Sequence, residues 1–218
     1  MRHLLQSRIL LWAILAASVS TLASYPRLLL WSDREIPVWY LEVSIFVCCI
    51  VLWAFIFAWH PVYTKKPVFR AKADLGTFSI VTLIGLVFTG AWHFWLDPVL
   101  KSKMPEEFPA DWQHWLASLL FALGVGQLFL IFAPFDWLMR LCRHQKASMI
   151  LTALLGVGIA ATKLHAKSPT ISTEWLLILL SAKFGGGLLA VIIYLRGGII
   201  LAWWWAVVLH CRHLLDFL

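Results

Sequence analysis

Apolar runs, most of about the length that crosses a bilayer, follow one another with only short polar breaks, and this limits the fold more than any other feature. The runs are Ile9–Ala23, Ile36–His60, Thr77–Leu96, Trp115–Ala133, Ala147–Thr162, Trp175–Leu195 and Gly198–Leu215. A helix needs about 20 apolar residues to span the hydrocarbon core. Lipid offers no hydrogen bonds, so a spanning backbone must satisfy its own polar groups, which a helix does. Of the 218 residues, 61% are hydrophobic and 13% charged, against about a quarter charged in ordinary soluble domains. The expected fold is all-α: a polytopic transmembrane helical bundle of about seven spans, residues 1–218 forming one integral membrane domain whose main partner is the lipid bilayer.

The breaks between runs carry the orientation signal. Lys and Arg number 18 against 11 Asp and Glu, a formal charge of +7. Arg2 and Arg8 precede the first run. Lys65, Lys66, Arg70 and Lys72 follow the second, Arg140, Arg143 and Lys146 the fourth, and Arg196 the sixth. The segment from Asp97 to Asp111 is net negative, with Glu106 and Glu107, while Lys163 and Lys167 depart from the alternation. The positive-inside rule then puts the N-terminus in the cytoplasm and the C-terminus outside. Short loops and many tryptophans suit a bacterial inner membrane. No basic arm or basic–aromatic alternation suits nucleic acid.

Trp31, Trp39, Trp92, Trp95, Trp112, Trp115 and Trp137 flank the runs and read as an interfacial aromatic belt. All nine prolines, Pro169 among them, fall at or between run ends, so regular helix is expected inside the spans. Cys48, Cys49, Cys142 and Cys211 have neither CxxC nor zinc-ribbon spacing and read as small apolar residues. The first run also has the basic start, apolar centre and small residues of a cleaved signal peptide; an uncleaved span is the preferred reading.

Polar groups at membrane depth are the functional candidates, because leaving them unpaired in hydrocarbon is costly. Lys183 sits mid-span before Gly185-Gly186-Gly187, with a carbonyl or Glu42 as its structural partner. Gln127 lies deep in the fourth run. Asp136 and Arg140, four residues apart, share a helical face and are expected to pair. His210, His213 and Asp216 recur every third residue, each offset by about 60° on an α-helix. Imidazole and carboxylate together are zinc-ligand chemistry, so zinc is the metal such a set would take. His60, His93 and His114 are scattered near span ends and make no haem-binding pairs.

The order of features from Trp115 onward resembles the CPBP family of intramembrane proteases (CAAX proteases and bacteriocin-processing proteins). Ala133-Pro134 leads into Phe135-Asp136-Trp137-Leu138-Met139-Arg140, in the frame of the family's EExxxR motif. Leu155-Gly156-Val157-Gly158-Ile159 looks like its FGxxH stretch. Tyr194-Leu195-Arg196-Gly197-Gly198, followed by an apolar run to His210, looks like its final helices. Residues 115–218 form the CPBP-like half. Phe135 and Ile159 stand where the family has its glutamate base and a histidine, and Leu214 where it has Asn or Asp. The resemblance therefore implies a remodelled metallopeptidase or a catalytically silent relative that binds a membrane-embedded peptide or protein. In the peptidase version Asp136 is the base, Arg140 an orienting charge, and His210 and His213 metal ligands, with Asp216 beside them. The alternatives are a small transporter or channel component built on Lys183 and Gln127, and a structural subunit of a membrane complex.

Overall fold

The computed structural model describes residues 6–31, 35–70, 75–167 and 172–217; Arg2, Lys72 and Pro169 lie outside them. No strand occurs among the described residues. Among the described residues six helical stretches are long and apolar enough to cross a membrane. They are α1 (Ser7–Leu29), α2 (Val38–Thr64), α3 (Leu75–Lys103), α4 (Trp112–Cys142), α5 (Gln145–Lys167) and a last stretch, Thr173–Asp216. The chain is a multi-pass helical membrane protein.

The last stretch is two spans. Gly198 breaks it with φ 69° and ψ −164°, a region essentially confined to glycine. Lys183 and Arg212 would stand about 43 Å apart on one continuous helix. Instead both lie over the ring of Trp92, at 4.7 and 5.0 Å from its centroid. The chain reverses at Gly198, giving α6 (173–197) and α7 (198–210), and α7 runs on into a 3-10 segment, Cys211–Asp216. Seven spans result, as the sequence predicts.

The reversal needs no loop of its own because the segment after α2 caps it. Ile199 N–H donates to the Val68 carbonyl (3.2 Å). Lys66 Nζ donates to the Leu195 carbonyl (2.8 Å), and Arg70 to the Arg196 carbonyl (2.5 Å). These contacts take up backbone groups that a helix end leaves unpaired. Two other helices ending at this face, α2 and α4, close on left-handed residues, Lys65 (φ 59°) and Arg143 (φ 51°). This face, here called the basic face, also carries Arg8, Lys146 and Arg196. Among the described residues its only carboxylate is Asp136, which is buried.

Packing relies on small residues where helices meet. A Cβ on Gly124 of α4 would lie 2.8 Å from Ala23 Cβ and 2.9 Å from the Ser20 carbonyl of α1. Trp53 of α2 donates its indole N–H to Ser20 Oγ (3.0 Å). Leu22, Leu83, Val87 and Phe94 point outward and are exposed, as lipid-facing residues must be.

Two expectations need correction. Span interiors are not regular throughout: α3 contains a π-helical turn at Trp92–Leu96, and α4 contains two, Ala122–Gly126 and Leu128–Phe132. A π turn widens the backbone and loosens its own hydrogen bonding, and here Trp203 donates its indole N–H to the Leu123 carbonyl (2.9 Å). Nor do all seven flanking tryptophans form a belt. Trp31, Trp39, Trp95, Trp112 and Trp137 are exposed, but Trp92 is 5% exposed and faces the bundle interior. Trp115 donates its indole N–H to the His210 carbonyl (2.9 Å).

Candidate functional site

Three polar features occupy the bundle at different depths. The first lies about one helical turn inside the basic face. His60 comes from the last turns of α2, Asp136 from α4 just after Pro134, and Tyr194 from α6 one turn before Gly198. His60 Nδ1 is 2.8 Å from Asp136 Oδ1, and the Tyr194 hydroxyl donates to Asp136 Oδ2 at 3.0 Å. All three are buried. His60 Nε2 is also buried and has no hydrogen-bond partner. Phe132 covers Tyr194 with ring centroids 4.7 Å apart, and Phe135 meets it edge-on.

The Asp136–Arg140 pair expected from their spacing does not form. A buried carboxylate needs hydrogen bonds to both oxygens, and His60 and Tyr194 supply them from other helices. Arg140 lies instead over the face of Trp59, 4.3 Å from its centroid.

The second feature is a charged layer near the opposite face. Asp97, 1% exposed, lies 3.1 Å from Arg212 Nε. Asp216 holds Lys101 at 2.5 Å, with His93 and His213 at 3.8 and 3.9 Å. Glu107 pairs with Lys163. His210 sets its Nδ1 against the carbonyl of Ala206, one turn back (2.9 Å). The expected 60° stagger of His213 and Asp216 is lost because Cys211–Asp216 is 3-10, where residues three apart eclipse. At the rim, Asp111 caps α4 by accepting from the His114 amide (2.8 Å) and contacting His114 Nδ1 (2.8 Å). Those two bonds hold its carboxyl below the usual range.

The sequence candidates thus separate into two groups. Asp136 and Arg140 lie toward the basic face, while His210, His213 and Asp216 lie toward the other. Tyr194 precedes Gly198 by four residues and His213 follows it by fifteen, so the groups differ in depth by roughly 15 Å. Among the described residues no three His, Cys, Asp or Glu side chains are arranged to hold a metal ion.

The third feature is a cavity of about 450 Å³ between these layers, bounded by α3 to α7. Lys183 and Gln127, set apart above as transporter candidates, both line it. Lys183, Gly186, Gly187 and Ala190 follow one another along a single face of α6. The glycines let neighbours approach: a Cβ on Gly186 would meet Phe88 at 3.3 Å, and one on Gly187 would meet Ala153 at 3.4 Å. Lys183 does not pair with Glu42, which accepts from Ser24 at 3.4 Å. Its ammonium has no ion pair or hydrogen bond among the described residues, only the face of Trp92. Gln127 Oε1 is buried without a partner.

The site residues that sequence reasoning missed are His60, Tyr194, Trp92, Asp97 and Arg212. Their partners come from other helices, and no local spacing announces such pairings. The one available signal was an arginine and an aspartate placed close to apolar runs. No protein-family model, curated protein or solved structure matches this chain.

Proposed function

We infer that this protein holds an amphiphile with a negatively charged head in the cavity between α3 and α7, as a membrane-embedded binding protein or carrier. The observation behind this reading is Lys183, whose ammonium stands on the cavity wall over the face of Trp92 with no ion pair or hydrogen bond among the described residues. An unpaired charge inside a membrane protein is expensive, and such charges mark substrate paths by default. Gln127, with its unpartnered Oε1, offers an acceptor for an O–H or N–H of the same head group. Phe88, Leu130, Ile131, Leu179 and Leu209 give the wall an apolar part suited to an alkyl chain. A volume of about 450 Å³ falls in the range of organic-ligand sites. Glu107, Phe108 and His213 line the cavity toward the face opposite the basic one, which makes that face the entry. The positive-inside rule makes it the outside.

This reading takes the catalytically silent branch of the CPBP resemblance. The Ala133-Pro134 lead and the Tyr194-Leu195-Arg196-Gly197-Gly198 run support that ancestry. With Phe135 and Ile159 in place of the family's base and ligand, holding a membrane-borne partner is the role left to such a relative. The peptidase branch asks Asp136 to work beside His210 and His213, and they sit in different layers.

The test is binding of dodecyl phosphate to the purified full chain, followed by native mass spectrometry, with dodecanol as the uncharged control. Wild type retains dodecyl phosphate and not dodecanol. Lys183→Gln weakens retention about tenfold, the loss of one charge contact of about 1.4 kcal/mol. Lys103→Gln, at the rim, leaves it unchanged. Equal retention by Lys183→Gln and wild type, or of dodecanol and dodecyl phosphate, refutes the reading.

A further inference from the structure

The buried His60–Asp136–Tyr194 network lies at a depth between the cavity and the basic face. Tyr194 stands one turn from Ala190, which lines the cavity, and one turn from Gly198 at the basic face. Asp136 stands five residues from Ile131 of the cavity wall and one turn from Arg140 at the rim. Phe132 and Phe135 fill the space around the three. We propose that this network is a proton-binding site between the cavity and the basic face, exchanging its proton with water at that face.

Asp136 and His60 share a short contact, and with one proton between them the pair is neutral overall, whether written as carboxylate and imidazolium or as acid and imidazole. Releasing that proton to water leaves the network with one negative charge and no other product. Taking up a second proton instead would leave it positive. The neighbours decide between these outcomes. Arg140 lies over Trp59 beside His60, and Lys66 sits on the Leu195 carbonyl one residue from Tyr194. Cations on that side of the network oppose a second positive charge there. Tyr63 of α2 is a further titratable side chain packed against the same core. From α5, the buried polar residues are Ser148 and Thr152, which donate to the His144 and Ser148 carbonyls and carry no charge. From α7, the first turns bring Ile199, Leu201 and Ala202, all apolar. The site therefore moves between neutral and minus one.

The orphaned Nε2 distinguishes this network from an ordinary structural hydrogen bond. Most buried side-chain polar atoms have a hydrogen-bond partner, and an orphaned one calls for an explanation. Here one nitrogen holds the carboxylate and the other is left open, as a group must be if a proton or water is to arrive there. The Tyr194 hydroxyl, donating to the far carboxylate oxygen, steadies Asp136 in the charged state.

The experiment is infrared difference spectroscopy of the full chain in lipid membranes, between about pH 5 and about pH 8, where histidine-containing sites change charge and exposed carboxylates do not. Wild type gives carboxyl or imidazole bands that are absent in both Asp136→Asn and His60→Gln. Tyr194→Phe, which removes one hydroxyl, keeps the bands and shifts their position. Helical circular dichroism confirms that each variant is folded. If the Asp136→Asn and His60→Gln spectra coincide with wild type, or if Tyr194→Phe leaves every band in place, the proposal is overturned. Dodecyl phosphate binding is a separate readout, so failure here leaves the cavity reading untouched, and the reverse holds too.

Discussion

Substituting alanine at Gly198 tests the reversal that builds α6 and α7 from one helical stretch. The backbone there has φ 69° and ψ −164°; an L-residue held in such a region costs about 1–3 kcal/mol. The new Cβ would lie 2.8 Å from the Val68 carbonyl oxygen and 3.1 Å from the Arg70 amide nitrogen. Both are backbone atoms, so no side chain can swing aside, and the 66–70 segment must move. That movement strains the Ile199 N–H bond to the Val68 carbonyl, worth about 0.5–1.5 kcal/mol. Together these losses reach about 2–4 kcal/mol. For a chain of this size each kcal/mol shifts the melting temperature by about 2–4 °C, so Gly198→Ala should melt roughly 5–15 °C lower. The assay is thermal denaturation in detergent followed by size-exclusion chromatography. Gly90→Ala is the control, since a Cβ there meets nothing within 4 Å; it should melt at or slightly above wild type. A Gly198→Ala protein that melts with wild type would show that the reversal does not depend on a glycine-only conformation, and the reasoning would fail.

Other outcomes follow from contacts already described. Gly124→Leu should loosen α1 from α4, because even a Cβ would crowd the Ser20 backbone; a loss of about 1–3 kcal/mol is expected in the same melt. Gln127→Leu removes a buried amide oxygen without a partner, so it should raise the melting temperature by about 1 kcal/mol worth of stability while weakening dodecyl phosphate retention. Trp203→Phe strands the Leu123 carbonyl and should cost about 1–3 kcal/mol. The Asp111 cap has a lowered pKa, so its stabilisation is full above the unfolded carboxyl value of about 3.9 and disappears as pH falls through the lower folded value. The protection of the His114 amide from hydrogen exchange, relative to its intrinsic rate at each pH, should fall over that acid range in wild type and be low throughout in Asp111→Ala.

The architecture was legible because one solvent dictates it. Long apolar runs, polar breaks and charge alternation are local properties of sequence, and each run became a helix. Even the separation of α6 from α7 at Gly198 was visible, although hydrogen bonding there is nearly continuous. The site was legible only where a single residue is anomalous by itself. Lys183 and Gln127 stand out as polar groups in apolar runs, and they do line one cavity. Pairings were not legible: Asp136 looked committed to Arg140 by spacing, whereas burial gave it to His60 and Tyr194, distant in sequence. Trp92 looked like a membrane anchor because interfacial and cavity-lining indoles have the same local surroundings. The π turns of α4 left no mark beyond two glycines.

Those π turns set the tolerance of α4 to changes in length. Each holds one residue more than an α-helix would use over the same rise, so the helix carries spare chain on both sides of Gln127. Losing a residue from Leu128–Phe132 would let that turn relax to ordinary α geometry with Asp136 still aimed at His60. Losing one between Ala133 and Asp136, where no spare residue exists, would rotate the carboxylate by about 100° and leave His60 and Tyr194 facing an empty place.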